Sequence, residues 1–100
     1  MNKLDFYLWA MSIKMLPKKY SDTISRLQQI EKSIKNCDLD NEFNKDKCQS
    51  LLELFKNLGR NINMSSLHIG TLPIGKKYMT TYSAAVRQFI KYKESLKTKI

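Results

Sequence analysis

Residue types that carry catalysis are sparse in this chain and form no known catalytic motif. His68 is the only histidine, no cysteine or serine stands at a motif spacing from it, and no glycine-rich phosphate loop occurs. Cys37 and Cys48 have only His68 to complete a zinc site, whereas zinc takes four ligands at characteristic spacings. The sequence therefore predicts no catalytic residue, no metal and no small-molecule cofactor, and it predicts that both cysteines are structural and buried.

Positive charge is the strongest signal in the composition. The 100 residues include 18 Lys+Arg against 9 Asp+Glu, a formal net charge of +9, which favours a polyanionic partner. Only Arg26, Arg60 and Arg87 are arginines, and lysine is a flexible point charge that suits phosphates better than base edges. Residues 37–58 are the exception, with three basic and five acidic side chains. We expect this segment to face away from a polyanion.

Apolar residues at helical spacing predict four helices, over residues 4–16, 18–35, 44–58 and 76–97. Pro17 ends the first and opens the second, because proline disfavours helix in the residue before it and is tolerated in a first turn. Asn44 and Gly59 are the expected N-cap and C-cap of the third. Residues 59–75 contain all three glycines and predict a loop or a short hairpin.

The length of the chain predicts one domain over residues 1–100. The expected fold class is all-α, a compact bundle of four helices with a long loop before the last helix. We expect the first helix to be buried on most sides. Tyr82, Phe89 and Leu96 of the last helix are expected to share one core with Leu27 and Leu51.

A polar row lies opposite the apolar side of the last predicted helix. Its members are spaced by 3, 4, 3 and 4 residues: Lys77, Thr80, Ala84, Arg87 and Lys91. Cations, a hydroxyl and a small central residue would let this helix lie against a phosphodiester backbone or enter a major groove, where an arginine fork can bind guanine. A solvated helix face has the same pattern. A second polar row, on the second helix, includes Lys18, Ser25 and Lys32.

Three stretches together resemble the N-terminal core-binding, or SAM-like, domain of phage integrases and other tyrosine recombinases. They are FYLWAMSIKMLPKKYSDTISRLQQIEKSI at 6–34, DLDNEFNKDKCQSLLELF at 38–55 and YMTTYSAAVRQFIKY at 78–92. Similar helical domains also precede restriction endonuclease domains. The resemblance implies that the second and fourth helices approach DNA, and the residues at the matching positions are Lys18, Lys19, Ser83, Ala84 and Arg87.

The sequence thus predicts a non-catalytic DNA-binding module, an N-terminal part of a longer recombinase or restriction enzyme. Its expected partners are double-stranded DNA and a catalytic domain downstream. The alternative is a helical protein-interaction domain or a small phage or plasmid regulator. The absence of a signal-peptide pattern predicts a cytoplasmic protein, and a membrane partner is not expected because the helix faces look packed. The predicted DNA-binding residues are Lys18, Lys19, Ser25, Lys77, Thr80, Ser83, Ala84, Arg87 and Lys91.

Overall fold

The computed structural model describes residues 2–97, and this part of the chain is helical without a β-strand. The all-α prediction is therefore confirmed, although the described residues form six α-helices instead of four. The helices are α1 Lys3–Ser12, α2 Pro17–Ser33, α3 Leu39–Asp46, α4 Gln49–Leu54, α5 Ile62–Leu67 and α6 Thr80–Lys97, with 3₁₀ turns at Lys56–Gly59 and Lys77–Met79.

The two long helices, α2 and α6, pack against each other and form the frame of the domain. Pro17 occupies the first turn of α2, as predicted. Leu27 of α2, Phe89 of α6 and Leu51 of α4 are at most 1% exposed and belong to one core cluster. Tyr82 is half-buried against that cluster. Leu96 is 39% exposed, so its predicted place in the core was wrong.

The predicted third helix, 44–58, is divided into separate elements. Lys47 and Cys48 both take left-handed conformations, with φ of 57° and 64°, and such residues end α3 before α4 begins. Asn44 is not the N-cap. Asp38 is the N-cap of α3, and its Oδ1 accepts hydrogen bonds from the N–H groups of Asp40 at 2.9 Å and Asn41 at 3.2 Å. Gly59 has a φ of 81° but lies inside the 3₁₀ turn.

The segment 59–75 is more ordered than the predicted loop, because it contains α5. Asn61 fixes the start of this helix: its Oδ1 accepts from Met64 N at 2.8 Å, and its Nδ2 donates to Leu54 O at 2.8 Å. After α5 the chain pairs with the end of α2, where Ile69 N donates to Ser33 O at 2.8 Å. A Cβ at Gly70 would lie 2.7 Å from Ser33 Cα, so this close approach requires glycine.

The first helix is buried on one side only. Phe6 and Ala10 are at most 2% exposed, whereas Leu4, Leu8 and Met11 are 66%, 56% and 57% exposed. The buried side is held by aromatic contacts in which the Phe6 ring centroid lies 5.9 Å from that of Tyr20 and 5.2 Å from that of Tyr92. The expectation that α1 is buried on most sides was therefore wrong, and so was the premise that all helix faces are packed.

Candidate nucleic-acid interface

The predicted polar row of the last helix lies on its solvent side. Four members are exposed in α6, and the fifth is exposed in the 3₁₀ turn that precedes it: Thr80, Ala84, Arg87, Lys91 and Lys77. The opposite side of the helix is buried at Ala85, Val86, Phe89 and Tyr92. We call these five exposed residues the α6 row. Ser83 is half-buried at its flank.

The beginning of the α6 row differs from the sequence prediction, which started the helix at residue 76. Lys77 belongs to the turn Lys77–Met79, and α6 begins at Thr80. Thr80 Oγ1 donates to Lys77 O at 3.1 Å, which joins the turn to the helix. The hydroxyl oxygen keeps its lone pairs as an acceptor. Tyr78, the next residue of the turn, is 59% exposed.

The cations of the α6 row are free to bind an external anion. Within residues 2–97, no carboxylate lies within 4.0 Å of the charged nitrogens of Lys77, Arg87 or Lys91. The first acidic side chain along the helix is Glu94, which pairs with Lys47 at 4.0 Å. The α6 row therefore carries three positive charges and no negative one.

The second predicted contact region lies at the start of α2. Lys18 and Lys19 are exposed there, and Lys18 forms a salt bridge with Asp22 at 3.5 Å. Ser25 is exposed about two turns further along the helix, on the side opposite the buried Thr23 and Leu27. In the described part of the chain, no hydrogen bond or ion pair joins these α2 residues to the α6 row.

Three of the nine acidic residues lie on α3, which is joined to α6 by a half-buried ion pair. Lys93 Nζ lies 3.0 Å from Asp40 Oδ1 and 5.9 Å from the centroid of the Phe43 ring. Partial burial raises the pKa of the Asp40 carboxyl, but hydrogen bonding and the positive charge of Lys93 help to bring the pKa below its ordinary value. Lys93 is thus a structural cation and does not extend the α6 row.

The two cysteines are at least partly buried, and the histidine takes part in a hydrogen bond to the backbone. Cys48 is buried and Cys37 is half-buried, and both are free thiols. Burial first, and then the charge of Glu42, raises the pKa of each thiol to about 12. Both therefore stay protonated at neutral pH and are poor nucleophiles. His68 Nε2 accepts a hydrogen bond from Leu72 N at 3.1 Å, which fixes the chain after α5.

Sequence reasoning missed two cations, Arg60 in the predicted loop and Lys76 at the first position of the last predicted helix. Arg60 and Lys76 are exposed, and Arg60 Nη2 donates to Gly75 O at 3.2 Å. Both fall in or next to the segment predicted to be a loop, where helical spacing carries no information about which side chains meet. The only signal available was the scarcity of arginine, since Arg60 is one of three in the chain.

Comparison with known proteins gave no relative: no family model, no curated protein and no solved structure matches the chain. Among residues 2–97, no helix combines the length and the apolar character needed to cross a membrane. In the same residues, no group of three or more His, Cys, Asp or Glu side chains is arranged to hold a metal ion. The function must therefore be argued from the geometry of the site itself.

Proposed function

We propose that this chain is a non-catalytic DNA-binding module that contacts duplex DNA through the α6 row. The observation that carries the proposal is that the row has three exposed cations, Lys77, Arg87 and Lys91, and that none of them has an acidic partner in the described residues. From Thr80 to Lys91 the row extends for roughly 16 Å along the helix axis, at about 1.5 Å per residue.

The chemistry of the row fits a helix placed in or along the major groove, which is about 12 Å wide and admits an α-helix. Ala84 stands in the middle of the row, so no bulky side chain keeps the helix away from the DNA there. Arg87 provides a planar fork for a phosphate or for guanine O6 and N7, whereas the lysines supply point charges. The exposed Lys19 and Ser25 of α2 add a second contact region.

The proposal includes the finer architecture and the context of the domain. The order of the three stretches that resemble the core-binding domain, together with the packing of α2 against α6, supports a SAM-like arrangement. In this proposal the chain is an N-terminal part of a cytoplasmic recombinase or restriction enzyme, and a downstream catalytic domain performs the reaction. The module itself holds the DNA.

Salt dependence of binding to a labelled duplex tests the proposal. A protein that neutralises about three phosphates should lose roughly 40-fold in affinity when salt rises fourfold, because condensed counterions are released on binding. We expect micromolar or weaker binding that follows this slope. If the chain does not bind duplex DNA at about 50 mM salt, or binds equally well at about 200 mM, the proposal is wrong.

A pair of variants with equal net charge locates the contact. Arg87→Ala should weaken duplex binding by about tenfold, the loss expected for one forked contact of about 1.4 kcal/mol. Lys35→Ala is the matched control, because Lys35 is exposed and borders a cavity that is also lined by Glu42 and Glu53. Lys35→Ala should lower the affinity for the duplex by less than twofold. Equal losses in the two variants would show that charge acts diffusely and that α6 is not the contact element.

The exposed side of α1 favours the second candidate, a helical protein-interaction domain. Leu4, Leu8 and Met11 stand one turn apart on it, and each is more than half exposed. Sedimentation of the pure chain tests whether a second copy covers this side. A dimer that dissociates in the Leu8→Gln variant would support the interaction role, and a monomer at high concentration would argue against contact between copies.

A further inference from the structure

A cleft lies between the start of α5 and the chain that leads into α6. It encloses about 760 Å³, and the residues on its walls include Arg60, Ser65, His68 and Lys76. None of the residues that line it is acidic. Two permanent cations on its walls, without a carboxylate to balance them, make the cleft attractive to an anion.

Arg60 is held in this cleft by the backbone of Gly75. Its Nη2 donates to Gly75 O at 3.2 Å, and a Cβ at Gly75 would lie 2.7 Å from Arg60 Nε. Gly75 has a φ of 78° and donates its own N–H to Leu58 O at 2.8 Å, so its position is fixed from the opposite side. A guanidinium has five N–H donors, which leaves most of the Arg60 fork available to a ligand.

The cleft and the α6 row are adjacent along the chain. Gly75, which orients Arg60, is followed by Lys76 on the wall of the cleft and by Lys77, the first cation of the row. Since consecutive Cα atoms lie about 3.8 Å apart, both lysines begin within roughly 8 Å of the Gly75 Cα atom. In the described residues neither lysine side chain has a carboxylate within 4.0 Å.

We propose that this cleft is a phosphate-binding site, in which Arg60 and Lys76 hold a phosphodiester group of the duplex that the α6 row contacts. The inference rests on the proposed function and adds to it a second, preformed contact. Arg60 gives the forked hydrogen bonds that phosphate oxygens accept, and Lys76 adds charge beside it. Such a contact fixes the orientation of the protein on DNA without reading the sequence.

Three variants of the full chain test the site through affinity and salt dependence. Arg60→Ala should weaken binding about fivefold to tenfold on every duplex sequence and reduce the salt slope by about one phosphate. Arg60→Lys should restore the slope but only part of the affinity, because the charge is kept and the fork is lost. Gly75→Ala should weaken binding without removing any charge, because its Cβ displaces the Arg60 side chain. Circular dichroism and thermal melting confirm that each variant is folded.

The controls separate this inference from the proposed function. Lys35→Ala removes the same charge as Arg60→Ala and should leave the salt slope unchanged. If Arg60→Ala binds DNA with the affinity and salt slope of the parent while Arg87→Ala loses affinity, the cleft is not a phosphate site. The proposed α6 contact would then still stand. If Arg60→Lys binds as well as the parent, only net charge acts there and the preformed site is wrong. If the parent chain itself does not bind duplex DNA, the proposed function fails, and the cleft proposal fails with it.

Discussion

The helices α1 and α6 both have apolar residues at helical spacing. In α6 most of these residues are at least partly buried, whereas in α1 most of them are exposed to solvent. The apolar side of α6 is buried, with Phe89 and Val86 fully covered. The apolar side of α1 remains in solvent, where Leu4 is 66% exposed and Leu8 is 56% exposed. Periodicity therefore tells which residues share a helix face, whereas neighbouring elements decide whether that face is covered.

Differences in their neighbours explain the two outcomes. The helix α6 has 18 residues and packs along α2. The helix α1 has 10 residues, and its buried side consists of Phe6 and Ala10. Phe6 contacts Tyr20 of α2 and Tyr92 of α6 through aromatic rings, and Tyr7 and Trp9 add ring contacts to the same two tyrosines, so one small aromatic cluster docks the helix. Substitutions in each helix can test how much each one contributes to the free energy of unfolding.

The largest expected effect is the truncation of the α6 core. Phe89 is fully buried, and Phe89→Ala should lower the free energy of unfolding by about 3 to 5 kcal/mol, because it removes apolar contacts and leaves a cavity. Small domains have total stabilities of about 5 to 15 kcal/mol, so the variant should be close to unfolding. Urea denaturation followed by circular dichroism measures the loss. A loss below about 1 kcal/mol would contradict a buried α6.

A smaller effect is expected from the ion pair that fastens α6 to α3. Lys93→Met keeps the aliphatic stem and removes the contact to Asp40, which lies 3.0 Å away. The Asp40 side chain is 38% exposed, so solvent screening limits the expected loss to about 1 kcal/mol or less. The matched control is Lys91→Met, which removes the same charge from the solvent side of α6 and should leave the free energy of unfolding unchanged.

The pH dependence of this loss follows from the lowered pKa of Asp40. Because the folded-state pKa lies below the ordinary value of 3.8, the pair stabilises the protein at neutral pH, and its contribution is lost as pH falls through the folded-state pKa. The stability difference between the parent and Lys93→Met should therefore be constant above about pH 5 and shrink as the pH falls below about 4. A difference that persists undiminished in acid would show that the loss does not come from the pair with Asp40 but from other contacts of Lys93, such as the one with the Phe43 ring.

Sequence reasoning was most successful where a long helix has one buried side. The start of α2 at Pro17 and the buried Leu27, Val86 and Phe89 all follow from spacing and from the steric properties of proline. The exposure of Arg87 follows from the same spacing, because a residue opposite a buried stripe lies in solvent. These features depend on local geometry, which a single sequence contains.

The middle of the chain could not be predicted in this way, because non-glycine residues adopt left-handed conformations there. Lys47, Cys48, Asn57 and Leu58 all have φ between 55° and 64°, at a local cost that tertiary packing must offset. Asparagine favours this conformation, but lysine, cysteine and leucine do not, so the apolar pattern indicated one continuous helix. The position of the Arg60 side chain could not be predicted either, because it depends on a contact with Gly75, which is 15 residues away.

The smallest expected effect belongs to α1, and it tests the comparison most directly. Leu8→Gln should change the free energy of unfolding by no more than about 0.5 kcal/mol, because an exposed side chain loses little burial and the two residues have similar helix propensities. Phe6→Ala, in the same helix, is the control and should cost about 3 to 5 kcal/mol, because Phe6 is fully buried. A cost near 2 kcal/mol for Leu8→Gln would mean that the apolar side is covered in solution. If a second copy provides the cover, the melting temperature of the parent must also rise with protein concentration, because association stabilises the folded state by mass action.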